Sequence, residues 1–126
     1  MKLIRKDQAI HVDKTNGTKV DYYLLNDAEI HYNKINPRTL QEWHRHHRIS
    51  ENIFILKGKL VYRYLDEANT EQSLKLKQGD LLSVDKDIHT FENQTDEVVE
   101  FIVFRYLPSY KNQSEMIKND KEIIER

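Results

Sequence analysis

Short runs in which apolar and polar residues alternate recur along most of the chain. In residues 28–35, Ile30 and Tyr32 fall on one face of an extended segment, whereas His31 and Asn33 fall on the other. Such short runs predict β-strands. We predict strands over residues 19–25, 28–35, 40–46, 51–56, 60–64, 73–76, 81–84, 89–93 and 98–107.

Turn signals separate these runs. The chain has only three glycines and two prolines, so each of their positions is informative. Asn16-Gly17 is typical of a tight hairpin turn, and Gly58 and Gly79 mark two further turns. Pro37 ends the strand before it, because proline cannot donate a hydrogen bond to a ladder. Short strands at near-regular spacing predict an all-β sandwich or barrel.

The pattern changes after Pro108. Asn112 and Glu115 have the spacing of a helix capping box. An apolar stripe at helical spacing follows, made of Met116, Ile117, Ile123 and Ile124. We therefore expect a C-terminal helix over about residues 112–125, packed on the barrel or, alternatively, covering a partner subunit. The barrel core is expected over about residues 20–107, in a single domain spanning residues 1–126.

Composition narrows the class of protein. The chain has 20 Lys and Arg against 21 Asp and Glu, with a net charge of −1, so bulk electrostatics do not favour nucleic acid. The absence of cysteine excludes disulfides, thiolate zinc sites and cysteine nucleophiles. No run approaches the roughly 18 apolar residues that span a bilayer, and the first residues lack the apolar segment of a signal peptide. We expect a cytoplasmic protein that binds neither nucleic acid nor membrane.

Residues 43–51 hold three of the six histidines, followed by a carboxylate. If residues 40–46 form a strand, alternation places His44 and His46 on the same face. Glu51 begins the next strand after a short turn, so three potential ligands come close together. Neutral imidazoles and a carboxylate suit a divalent ion of Fe, Mn, Ni, Zn, Co or Cu. The sequence therefore predicts a metal site here, the alternative being a solvated, charge-rich loop.

The histidine cluster is part of a longer pattern. This pattern consists of His44-x-His46-x4-Glu51-x6-Gly58 and, further along the chain, Gly79-Asp80 followed by His89-x3-Asn93. It resembles the two conserved motifs of the cupins, and the resemblance covers about residues 30–107. It implies a cupin-type jelly-roll β-barrel of two antiparallel sheets. It also implies a divalent metal inside the barrel, held by three histidines and one glutamate: His44, His46, Glu51 and His89.

Two turns depart from the family pattern. Where the first motif usually opens with a glycine, this chain has Arg38, beside Pro37. The second motif usually has a Pro-x-Gly turn before its histidine, whereas residues 84–88 contain neither residue and are one residue shorter. Both departures leave the four ligand types intact. The shortened turn makes the position of His89 the point to examine.

Alternation also predicts side chains that line a cavity beside the metal. The candidates are Ile53, Ile55, Tyr62, Tyr64, Phe91, Asn93, Phe101 and Arg105. An inward Arg105 would favour an anionic substrate such as a carboxylate or a phosphate, and the alternative is an outward surface charge. His47 is out of phase with its neighbours and is expected to point outward, and it could replace His46 as a ligand only if the strand ends early. His11 and His31 have no patterned partner, so we interpret them as surface or structural histidines.

The resemblance implies a small metal-binding cupin that binds or transforms a small molecule. The family includes dioxygenases, isomerases, epimerases and decarboxylases, so the fold does not select a reaction, and we assign no catalytic residue. One alternative is a non-catalytic small-molecule-binding, sugar-binding or sensor cupin. Another is a metal-free sugar isomerase or epimerase that uses His and Tyr as acid and base, although such a site would not need Glu51. The resemblance also implies a homodimer.

Overall fold

The computed structural model describes residues 1–47, 49–84 and 86–106. A short 3-10 helix, Lys6–Gln8, precedes the first strand. Ten strands follow within the described residues: β1 (Ile10–Asp13), β2 (Thr18–Leu24), β3 (Ala28–Ile35), β4 (Thr39–Leu40), β5 (Ser50–Lys57), β6 (Lys59–Leu65), β7 (Glu71–Lys77), β8 (Leu81–Val84), β9 (His89–Asn93) and β10 (Val99–Tyr106). The predicted C-terminal helix lies outside the described residues.

The strands form two antiparallel sheets, which confirms the predicted all-β fold. One sheet has the order β1-β2-β3-β10-β5-β8, and the other has the order β4-β9-β6-β7. Strand β1 was not predicted; it pairs with β2 across the Asn16-Gly17 turn, where Gly17 has a φ of 92°. Gly58 and Gly79 also have positive φ, in the turns where they were expected. No helix in the described part of the chain is long and apolar enough to cross a bilayer.

The hydrophobic core lies between the two sheets. Alternate residues of β5, β6 and β10 point into it, and Ile53, Ile55, Leu60 and Val99 are completely buried. Burial of one such aliphatic side chain stabilises the fold by about 1.5–3 kcal/mol. The same alternation continues along the strands toward the histidine cluster, where the inward side chains are polar, as in the buried Glu51 and His89.

The strand predicted over residues 40–46 is wrong in its extent. The ladder between β4 and β9 pairs Leu40 with Glu92, and the next bridge pairs His44 with His89. Between these two pairs, the chain advances by four residues from Leu40 to His44 but by only three from His89 to Glu92. The extra residue on the side of Leu40 forms a β-bulge. The extra residue reverses the alternation. Without the bulge, the inward phase of the buried Thr39 would have turned both predicted ligands of this segment outward.

Both departures from the family pattern are accommodated in the fold. Arg38 occupies the usual glycine position with a φ of 55°, a left-handed conformation that L-residues seldom adopt. Its backbone N–H donates to the carbonyl of Thr95 at 3.2 Å, and its guanidinium lies 2.9 Å from Asp96. The shortened turn before β9 still delivers His89 to His44, since the backbone N–H of each donates to the carbonyl of the other at 2.9 Å.

Candidate metal centre

Three predicted ligands meet inside the barrel. His44, His46 and His89 each offer one ring nitrogen, and these nitrogens all lie within 4.8 Å of one another. The bulge after β4 turns His44 and His46 inward, and β9 begins at His89. The ring of His44 lies 4.4 Å from that of His89 and 5.2 Å from that of His46, between centroids. The fold thus brings together ligands more than forty positions apart in the sequence.

Backbone carbonyls fix the orientation of two of these rings. The Nδ1 of His44 lies 3.1 Å from the carbonyl oxygen of Glu42, and that of His89 lies 3.0 Å from the carbonyl of Asp87. A ring nitrogen in this position donates its hydrogen, so Nε2 of a neutral ring keeps the lone pair that binds a metal. The hydroxyl of Tyr62 donates to the Asp87 carboxylate at 2.5 Å and so supports the turn before β9.

Desolvation favours the neutral form of two imidazoles of the cluster, those of His46 and His89. Desolvation lowers the pKa of His89 below its ordinary value of 6.5, although the carbonyl of Asp87 acts in the opposite direction. Desolvation likewise lowers the pKa of His46, against the attraction of Glu51. Because a protonated imidazole cannot bind a metal ion, both shifts favour the ligand form near neutral pH.

Glu51 lies beside the cluster but has a second partner. Its Oε1 is 2.9 Å from Nε2 of His46 and 2.6 Å from Nε of Arg105. These are ion-pair distances without hydrogen-bond alignment, and all three atoms are buried with no hydrogen-bond partner among the described residues. The mutual 4.8 Å group contains the three histidines and does not include Glu51. The carboxylate therefore lies between the histidines and the arginine.

The donor set fits a divalent transition metal. Ligand atoms at about 2.0–2.2 Å from one ion lie about 3 Å apart when they are adjacent, and Nε2 of His46 lies at such a distance from Glu51. The Nε2 of His89 is completely buried and has no hydrogen-bond partner among the described residues. An unpartnered buried nitrogen is costly unless another group binds it. Two such nitrogens, in His46 and His89, beside the ring of His44 match an ion better than a hydrogen-bond network.

A cavity of about 290 Å³ opens beside the cluster. Of the residues predicted to line it, Phe91, Phe101 and Arg105 do so. Ile53 and Ile55 are completely buried in the hydrophobic core instead. The two tyrosines also lie elsewhere: Tyr62 is buried with its ring 5.3 Å from that of His89, and Tyr64 packs against the edge of the core.

Asn93 also lies away from the cavity. Its side chain is completely buried. Its Nδ2 donates to the carbonyls of Ile35, Asn36 and Glu97 at 2.7–3.1 Å. Its Oδ1 accepts a hydrogen bond from the backbone N–H of Thr95 at 2.9 Å. Asn93 therefore connects loops at one end of the barrel, whereas His89, at the other end of β9, belongs to the histidine cluster.

His31 lines the cavity, although no pattern in the sequence had selected it. It is 4 % exposed, its Nε2 lies 2.8 Å from Glu29, and the edge of its ring packs against Tyr22. Alternation had placed His31 on the face opposite Ile30, but did not show that this face is the inner one. His47 is exposed, and the exposed His11 lies between Asp13 and Asp21.

The family is established by comparison with known sequences. The family model described as "Cupin domain" matches residues 31–105, which contain all four predicted ligands. The chain belongs to the cupin family. The two sheets described above are therefore those of a cupin barrel, as the two motifs predicted. No curated protein matches the cupin chain significantly in sequence.

Solved structures show the same fold at low sequence identity. The cupin is similar to Drosophila melanogaster CENP-C bound to CAL1, with a TM-score of 0.73 and 16 % identity over 82 % of this chain and 84 % of that one. It is also similar to Lactobacillus farciminis oxalate decarboxylase in a formate complex, with a TM-score of 0.70 and 18 % identity over 87 % of this chain and 34 % of that one. At these identities the likeness concerns the fold alone.

Proposed function

We propose that this cupin binds a divalent metal ion through His44, His46 and His89, with Glu51 as the fourth ligand, and that it holds or transforms a small molecule in the adjoining cavity. One observation carries the proposal. The completely buried Nε2 of His89 has no hydrogen-bond partner in the described part of the chain and faces two further imidazoles. Leaving such a nitrogen unpaired costs about 1–3 kcal/mol, which a bound ion would offset.

The lining of the cavity defines what the protein contributes to such a ligand. The metal, when bound, supplies Lewis-acid polarisation of an oxygen atom. Phe91, Phe101 and Val103 form an apolar wall of the cavity, and Arg105 places a positive charge beside the histidines. The same residues serve an enzyme, such as a dioxygenase or isomerase, or a cupin that only binds its ligand. Chemical change of a bound ligand over time separates these two roles.

Metal content tests the proposal directly. Protein purified without a histidine tag is expected to carry, or to take up from added Mn or Fe, about one equivalent by elemental analysis. His46→Ala should abolish binding because it removes a ligand, whereas His47→Ala is the matched control, since His47 is an exposed neighbour. Less than a tenth of an equivalent in the wild type after loading, or equal binding by the two variants, would contradict the assignment.

We also propose that two copies of the cupin associate. The outer face of the six-stranded sheet exposes large apolar side chains, with Phe54 41 %, Leu81 66 % and Phe104 38 % exposed. Phe54 and Leu81 are directly paired across β5 and β8, so they form a continuous patch that a partner subunit would cover. A monomeric mass in light scattering at micromolar concentration would reject the dimer.

A further inference from the structure

Arg105 lies between two carboxylates on the inner face of the six-stranded sheet. In the register of β10, it is directly opposite Glu29 of β3 on one side and Glu51 of β5 on the other. Glu29 is engaged by His31, whose Nε2 lies 2.8 Å from it. Within the described part of the chain, Arg105 forms its ion pair with Glu51, through Nε at 2.6 Å.

The rest of the guanidinium has no partner among the described residues. Its Nη1 and Nη2 donate no hydrogen bond within the described part of the chain, and the side chain is 29 % exposed. Arg105 lines the 290 Å³ cavity and also a second depression of about 310 Å³ beside Ala28 and Tyr106. A small molecule in either space has access to the free edge of the guanidinium.

Glu51 is shared between the arginine and the proposed metal site. The same oxygen, Oε1, contacts both Arg105 and His46. A carboxylate that binds a metal ion transfers much of its negative charge to that ion, which weakens its attraction for a neighbouring cation. With a divalent ion and one carboxylate at the centre, the net local charge becomes positive, and Arg105 adds a further positive charge.

We propose that Arg105 binds the carboxylate group of a small organic acid, and that Glu51 controls this site by pairing with Arg105 until a metal draws it away. The inference rests on the proposed metal binding. A guanidinium recognises a planar carboxylate through two parallel N–H donors. The apolar wall of Phe91, Phe101 and Val103 accommodates the carbon portion of the acid. Metal and carboxylate then bind cooperatively, although each has its own protein ligands.

The decisive experiment uses metal-free protein, because acetate can also bind a metal directly. Acetate and its neutral analogue acetamide are titrated by NMR in the presence of a chelator. Glu51→Gln frees Arg105 without any metal, so we expect it to bind acetate at least tenfold more tightly than the wild type, with no gain for acetamide. The double variant Glu51→Gln, Arg105→Gln should lose this gain. Failure of Glu51→Gln to gain affinity, or persistence of the gain in the double variant, would overturn the proposal.

Matched controls keep the result interpretable. Arg63→Gln in the Glu51→Gln background removes another strand arginine that is paired with a glutamate, Glu71, at 2.6 Å, but lies outside the cavity. This variant should keep the gain in acetate affinity. If Glu51→Gln does not fold, as judged by circular dichroism, Glu51→Asp replaces it, because the shorter carboxylate also withdraws from Arg105. The expected gain is then smaller but has the same sign.

A second arm measures the coupling in the wild type. Zinc and acetate should each increase the affinity of the other by the same factor, since coupling between two ligands is reciprocal. Arg105→Gln should reduce that factor to the value set by direct contact of acetate with zinc, and an unchanged factor would contradict the coupling. If the wild type binds neither zinc nor added Mn or Fe, the proposed function fails, while the metal-free arm still decides the role of Arg105.

Discussion

His89 and Asn93 stand at the two ends of the same strand, and their comparison separates two uses of a buried polar side chain. Both are completely buried, and both lie on the inner face of β9 by alternation. Both polar side-chain atoms of Asn93 have a partner, whereas Nε2 of His89 has none among the described residues. A buried polar group whose hydrogen bonds are all made stabilises the fold, and one that lacks a partner is a candidate for binding a ligand.

The largest effect on stability is expected at the end of β9 that holds Asn93. Asn93→Ala removes the donor shared by three carbonyls and the acceptor of Thr95, so we expect the free energy of unfolding to fall by about 3 kcal/mol. Urea denaturation of the metal-free protein measures this loss. Gln94→Ala is the control, because its exposed amide donates to the neighbouring surface residue Glu92, and it should change the stability by less than about 0.5 kcal/mol. Equal losses in the two variants would refute a structural role for Asn93.

The next effect concerns the unsatisfied end and appears only with metal. At a zinc concentration of about 100 times Kd, the wild type should gain about 2.7 kcal/mol of stability. His89→Ala should lose this gain completely, since it removes a ligand. The measured quantity is the difference between unfolding with zinc and unfolding with chelator, which cancels the packing cost of the substitution. The exposed His11→Ala should retain the whole gain, and a retained gain in His89→Ala would exclude His89 as a ligand.

Sequence reasoning predicted most of the strands and the types of ligand residue, but it missed β1 and could not separate His89 from Asn93. Alternation places His89, Phe91 and Asn93 on one face and is silent on which of them meets a cavity. The turns at Gly58 and Gly79 were visible because glycine adopts positive φ more readily than any other residue. The contact between Glu51 and Arg105 depends on the register of β5 and β10, which no local pattern contains.

The phase of His44 and His46 shows a subtler limit. Their common face followed from alternation, but the uninterrupted strand assumed for it does not exist. Which face points inward is decided by an extra residue between Leu40 and His44, visible only in the pairing with β9. Backbone bulges of this kind arise from tertiary pairing, so propensity and periodicity do not reveal them.

The smallest expected effect concerns His31, which is intermediate between the two cases. Burial lowers its pKa below 6.5, outweighing the attraction of Glu29. Below pH 6.5 the unfolded chain therefore binds more protons at this residue than the folded protein. The stability contributed by neutral His31 is fully present above that pH and is lost as the pH falls through the lowered pKa.

Replacement of His31 tests this pH dependence. His31→Gln should lose less stability than the wild type on acidification in chelator, by at most about 1.4 kcal/mol for each unit of pKa shift. Denaturant unfolding between about pH 7.5 and about pH 5 spans the range in which histidines titrate. His47→Gln, at an exposed position, should lose as much stability as the wild type when the pH is lowered. If both variants follow the wild type, His31 is not held neutral by burial.

Because of the bulge after β4, the number of residues between Leu40 and His44 decides whether the histidines that follow point inward. Deletion of one residue between Leu40 and His44 would keep all three imidazoles in the sequence, yet rotate two of them toward solvent. Two residues could be inserted or removed at the same place with the inward phase preserved. We therefore expect insertions or deletions of two residues in this segment to be tolerated better than those of one residue. A sequence motif that begins at His44 and ends at Glu51 omits residues 41–43, whose number decides whether the histidines point inward.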